Sequence, residues 1–95
     1  MCSTEGIRGR MLQGERPNWR PLLDLAPALI DDFMWMFEVE PEKGARIHAY
    51  KHRWTRRYLH LDCEGRAFVY TEDGRYCEVA ANWLLDLVVQ GHSRP

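Results

Sequence analysis

From Phe33 the chain alternates with a period of two. Phe33, Trp35, Phe37 and Val39 fall on one side, and Met34, Met36, Glu38 and Glu40 on the other, the pattern of a β-strand with one face on a core. Three later punctuation marks share one shape: Glu42-Lys43-Gly44, Cys63-Glu64-Gly65 and Glu72-Asp73-Gly74. Each suits a three-residue hairpin loop, a type I turn closed by a left-handed glycine. Thr55-Arg56-Arg57 is a fourth connection of similar length, without a glycine. Together these marks predict five strands over 33–40, 46–53, 58–62, 66–71 and 75–79, joined as an antiparallel meander.

Taken literally, the loops also set the register. Glu40 then stands opposite Arg46, Glu38 opposite His48, and Met36 opposite Tyr50. Asp62 stands opposite Arg66, Leu59 opposite Val69, Tyr58 opposite Tyr70, and Tyr70 opposite Tyr76. Opposite charges and aromatic pairs meet, as favourable cross-strand neighbours should.

Helical spacing brackets the meander. Leu22, Leu25, Ala26, Leu29 and Ile30 recur at helical intervals between Pro21 and Asp32. Pro27 interrupts them, so the segment is read as a turn over 22–25 and a second helix with Pro27 in its first turn. Ala80, Trp83, Leu84, Leu87 and Val88 form the apolar stripe of a C-terminal helix, and Gly91 stands where it would stop. Residues 1–20 read as a flexible leader with Trp19 as its anchor, 21–90 as one domain, and 91–95 as a tail. The fold class is α+β: a five-stranded meander, flat or curled into a barrel-like sheet, with both helices on one face.

If parity is kept throughout, two faces result. The odd-numbered one (Phe33, Trp35, Phe37, Val39, Ile47, Ala49, Leu59, Leu61, Ala67, Val69, Cys77 and Val79) is the core, with Cys77 a small buried apolar side chain. The even-numbered one holds Met34, Met36, His48, Tyr50, His52, Tyr58, His60, Phe68, Tyr70 and Tyr76. That is more apolar and aromatic surface than a solvated face requires. It is either a partner surface or the inside of a curled sheet. The first strand, 33–40, is a second interaction candidate, since a long apolar edge must be covered, paired or charged.

Composition adds little to this picture except locally. The 95 residues carry a net charge of −1, which gives no general attraction to nucleic acid or acidic membranes. Residues 46–58, however, hold five bases and no acid, between acidic flanks. Lys51-His52-Arg53-Trp54-Thr55-Arg56-Arg57-Tyr58 interleaves bases with aromatics, as RNA or single-stranded DNA binding needs. Cys2, Cys63 and Cys77 are odd in number and widely spaced, so neither a disulfide framework nor a zinc knuckle is indicated, and a reducing cytoplasmic setting is the default. No apolar run approaches membrane-spanning length.

Catalysis and metal binding find weak support. On a strand His48 and His52 lie roughly 13 Å apart, too far to share an ion, leaving only His52 with His60 across the hairpin. Glu38 opposite His48 is an ordinary cross-strand contact as readily as an acid–base pair. No nucleophile sits in a recognisable turn. The expectation is therefore a non-enzymatic module, without cofactor or metal, that binds a protein partner or a second copy of itself. Its surface is expected to comprise Met34, Met36, Tyr50, His52, Arg53, Trp54, Arg56, Arg57, Tyr58, His60, Phe68 and Tyr70. Nucleic-acid binding through 51–58 is the alternative.

The run Asp31-Asp32-Phe33-Met34-Trp35-Met36-Phe37-Glu38-Val39, with His48-Ala49-Tyr50-Lys51-His52, Trp54-Thr55-Arg56-Arg57-Tyr58-Leu59-His60-Leu61 and Trp83-Leu84-Leu85, resembles small uncharacterised proteins of actinobacteria over about residues 17–90. The resemblance implies a bacterial, cytoplasmic origin and assigns no residue a role.

Overall fold

A computed structural model of the chain describes residues 6–12 and 16–90. Six strands form one antiparallel sheet in chain order: β1 (Gly9–Leu12), β2 (Phe33–Pro41), β3 (Ile47–His52), β4 (Tyr58–Asp62), β5 (Ala67–Tyr70) and β6 (Tyr76–Val79). A short helix α1 (Arg20–Leu25) and a 3-10 helix (Pro27–Asp32) precede β2, and α2 (Ala81–Gln90) follows β6. The break at Ala26 falls immediately before Pro27, where the missing N–H and the backward clash of the ring stop the first helix. The predicted tail, Gly91 as a helix stop, and Cys2 all lie outside the described residues.

The extra strand comes from the leader. β1 pairs with the second half of β2, Gly9 opposite Pro41 through Leu12 opposite Glu38. Two residues before β1 Ile7 exchanges both backbone hydrogen bonds with Tyr76 of β6, at 2.9 and 2.7 Å. One segment therefore touches both outer strands of the meander, and the sheet curls into a half-barrel. Side-chain packing agrees. Val39 on β2 and Phe68 and Tyr76 on β5 and β6 belong to one buried cluster, although strands three apart in a flat sheet would be separated by about 14 Å. The edge expected at 33–40 is thus covered by β1 over Glu38–Pro41.

β1 runs very close to its neighbour. A Cβ built on Gly9 would stand 2.5 Å from Cγ1 of the fully buried Val39. Gly9→Ala is expected to lower stability by about 1–3 kcal/mol through overpacking, read as a lower urea midpoint at unchanged slope. An unchanged midpoint would mean that β1 does not dock as described.

The three glycine loops behave as predicted, with Gly44, Gly65 and Gly74 at positive φ. Glu38 faces His48, His60 faces Phe68, Leu61 faces Ala67 and Tyr70 faces Tyr76. Two parity changes were not predicted. The β3–β4 connection has four residues, Arg53–Arg56, closed by His52 N donating to Arg57 O, with Arg56 itself in the left-handed region at φ 67°. An even loop sets even positions of β3 against odd positions of β4: Tyr50 faces Leu59 and His48 faces Leu61. The second change is a bulge between Trp35 and Phe37, which puts Trp35, not Met36, opposite Tyr50.

Residues paired across strands share a face, so the true faces are mixed in parity. Phe33, Trp35, Glu38, His48, Tyr50, His52, Leu59, Leu61, Ala67, Val69, Cys77 and Val79 line the outer face. Helix side chains Leu22, Ala26, Leu84 and Val88 pack on that face with Phe33, Tyr50, Leu59, Leu61 and Ala67. Trp83 and Leu87, placed by their spacing in the apolar stripe of α2, are instead 51% and 41% exposed; Leu84 and Val88 alone in that set are buried. The inner face carries Met34, Phe37, Val39, Ile47, Ala49, Lys51, Tyr58, His60, Phe68, Tyr70 and Tyr76. Cys77 is buried and disulfide-bonded, not the free apolar side chain expected. That bond removes the support the cysteine count had lent to a reducing compartment. Among the described residues no helix is long and apolar enough to cross a membrane.

Candidate functional site

The parity changes split the predicted surface. Tyr50 and His52 are on the outer face and buried beneath the helical layer. The Tyr50 ring lies 5.5 Å from Trp19, and its hydroxyl donates to the Asn18 carbonyl at 2.5 Å. Burial pushes that phenol well above its ordinary range. The His52 ring packs edge-on to Phe33 at 5.0 Å, and its Nδ1 accepts from Thr55 N at 3.2 Å. Neither can meet a partner. His52 and His60 occupy opposite faces, so the one histidine pair left open for a shared ion is separated. Among the described residues no three His, Cys, Asp or Glu groups gather as a metal site.

The inner face keeps the rest as a layered aromatic cluster. His60 and Phe68 are buried on its floor, as is Tyr76. Tyr58 stacks on His60 at 5.8 Å and lies 6.1 Å from Phe37; Tyr76 stands edge-on to His60 at 5.3 Å and 4.8 Å from Tyr70. Above this floor Tyr58 and Tyr70 are exposed, with Met34 half-buried, Met36 exposed at the bulge, and Lys51 Nζ 5.7 Å from the Tyr58 ring. Burial alone drives the pKa of His60 down to about 4, so the floor is neutral.

The basic tip is largely structural. Arg57 Nη1 donates to Leu87 O at 2.5 Å and Thr55 Oγ1 to Val88 O at 2.7 Å. Arg53 donates through its backbone N to Asp32 O and through Nε to Asp31 O, both at 2.8 Å. These cations and hydroxyl satisfy carbonyls at helix C-termini, where positive charge is favoured. Trp54 and Arg56 project from the tip, Trp54 at 58% exposure.

A polar cleft on the outer face was not foreseen as a unit. Arg16, Asn18, Glu38, Arg46, His48 and Cys63 line an open cavity of about 670 Å³ beside the β4–β5 turn. Glu38 is buried and accepts from Arg46 Nη1 at 2.7 Å. Asn18 Nδ2 lies 3.4 Å from His48 Nε2 and 3.8 Å from Cys63 Sγ. Burial lowers the pKa of His48, against a smaller opposing pull from the Glu38 carboxylate. The Glu38–His48 pairing was readable from the loop register, but Asn18 reaches them only because the leader folds back. The turn below is held by buried Asp62, whose Oδ1 accepts from Glu64 N and Arg66 N at 2.9 Å each and whose Oδ2 accepts from Arg66 Nε at 2.9 Å.

No protein-family model, curated protein or solved structure matches this chain.

Proposed function

We propose that the chain is a non-enzymatic binding module whose partner, a protein and in the first instance a second copy of itself, docks on the aromatic mouth of the half-barrel. One observation carries this reading: Tyr58 and Tyr70 are exposed yet seated on a buried aromatic floor. Side chains already held in place lose little entropy on binding, and tyrosine, methionine and arginine are the types that interfaces favour. Met34 shares that face, and Met36, Trp54 and Arg56 are exposed as well. An oligonucleotide reading has less behind it, because the guanidinium groups of Arg53 and Arg57 are engaged with backbone carbonyls.

Tyr58→Glu combined with Tyr70→Glu is expected to convert a dimer to a monomer in light scattering, with a stability change within about 1 kcal/mol since both rings are at the surface. A wild-type chain that stays monomeric at the highest concentration reached overturns self-association. If single-stranded oligonucleotides shift the wild type at low salt and Arg56→Glu abolishes the shift, the nucleic-acid reading replaces this one.

A further inference from the structure

We propose that the disulfide of Cys77 is a redox latch, which holds the β1 segment across the seam between β2 and β6. The chain has three cysteines, and Cys63 is a free thiol. Cys77 is disulfide-bonded, so the cysteine left to it within the chain is Cys2. That assignment rests on the count, because Cys2 lies outside the described residues. The described start of the leader agrees with it. Gly6 lies against β6, where a Cβ built on it would stand 2.7 Å from Cys77 Sγ, and Ile7 then bonds to Tyr76 through the backbone.

The β1 segment needs such a bond because its own packing is thin. Gly9, Arg10 and Met11 are exposed and Leu12 is half-buried. Ile7 is only partly buried against the cluster of Val39, Ile47, Phe68 and Tyr76. A strand that buries so little apolar surface belongs to the least stable part of a structure and opens readily. A cross-link that closes the chain end onto β6 limits the entropy gained on opening. Beneath the segment lie the fully buried Val39 and the β2 edge over Glu38–Pro41. The larger core cluster, by contrast, contains no residue from 6–12. The latch therefore acts on the seam and leaves the helix-covered core intact.

A dithiol reductant opens the latch. One of its thiolates attacks a sulfur of the bond, and the other cysteine leaves as a thiolate that takes up a proton. The reductant's second thiol then displaces the remaining cysteine from the mixed disulfide and closes its own S–S bond. The protein gains two thiols as the dithiol becomes a cyclic disulfide, so electrons and protons balance. In the reduced form the β1 segment leaves β2 and β6 while the meander stays folded.

The test has two arms, both on the full chain. Trypsin places Cys2, Cys63 and Cys77 on separate peptides. After alkylation without reduction, mass spectrometry should find the Cys2 peptide joined to the Cys77 peptide and Cys63 alkylated. Alkylation of all three, or a link between Cys63 and Cys77, overturns the proposal. In the second arm the folded chain meets trypsin briefly, with and without dithiothreitol. Cleavage after Arg8 and Arg10 should become about tenfold faster on reduction, since nicking tracks the population of the opened segment. Cleavage after Lys51, in the central hairpin, should not change. Cys2→Ser, which leaves Cys77 in place, should show the fast cleavage in both conditions. If reduction leaves Arg8 and Arg10 protected, the segment is held by its own pairing and the latch is excluded. If Lys51 is exposed by the same factor, the bond holds the whole domain, and the latch is again excluded.

Discussion

Tyr50→Ala is expected to remove about 3–5 kcal/mol of folding free energy, the cost of excising a large buried aromatic ring. Tyr50 is fully buried, sits in the cluster formed by Phe33, Leu22, Leu59 and Leu84, and lies against Trp19. Its hydroxyl also ties down the segment that lines the polar cleft, through the Asn18 carbonyl. Two substitutions separate these contributions. Tyr50→Phe retains the ring and removes only the hydrogen bond, which is expected to lower stability by about 1 kcal/mol. Tyr50→Ala loses both and leaves a cavity. Urea unfolding of the three proteins measures the difference, with an unchanged slope marking an unchanged denatured state. If Tyr50 were part of an exposed partner surface, Tyr50→Ala would shift stability by less than about 0.5 kcal/mol and change association instead. A result of that kind would exclude the register described for β3 and β4.

The distance between those two outcomes shows where the sequence was informative. Local turn chemistry was legible. Each loop ending in Gly44, Gly65 or Gly74 has an odd number of residues, and an odd loop keeps parity across the hairpin, so Tyr70 opposite Tyr76 followed directly. At the β3–β4 tip no glycine announced the turn, because Arg56 takes the left-handed conformation that glycine took elsewhere. The loop proved to be one residue longer than the others. A single added residue exchanges every side chain between the faces of all later strands relative to β3. Hence Tyr50 and His52, grouped in sequence with Tyr58 and His60, lie on the opposite face from them. The bulge near Met36 was equally silent, since an alternating run reads the same with or without it. What sequence patterning missed most was β1. Gly9-Arg10-Met11-Leu12 has no alternation to mark it, and what pairs it with β2 is a close approach that only glycine at position 9 permits. The candidate sites suffered accordingly. The aromatic types were recognised and His60, Phe68 and Tyr76 were grouped correctly, but Tyr50 and His52 were added to their face and Phe37 was left off it, and the polar cleft needed the leader's return path before Asn18, His48 and Cys63 could be seen as neighbours.

The inner face makes its own prediction through His60. The unfolded histidine titrates near 6.5, whereas burial among Phe37, Tyr58 and Tyr76 holds it near 4 in the folded chain. Between those values the unfolded state binds a proton that the folded state does not. Stability therefore falls as pH drops from 6.5, at up to about 1.4 kcal/mol per unit, and the loss levels off below 4 at about 3 kcal/mol. His48, whose pKa is also lowered by burial, acts in the same direction. Glu40 and Asp73 are held below their ordinary values of 4.5 and 3.8, chiefly by Arg10 and Thr71 respectively. They add acid sensitivity only below those values, so the window from 6.5 to about 4.5 reports the histidines alone. His60→Phe replaces one ring by another in an aromatic setting and removes the titration. Its urea stability is expected to change with pH about half as steeply or less across that window, with His48 supplying the remainder. If His60→Phe follows the wild-type curve, His60 is hydrated and the inner face is open to water down to its floor. In that case the aromatic mouth would lack the rigid seat on which a partner is proposed to dock.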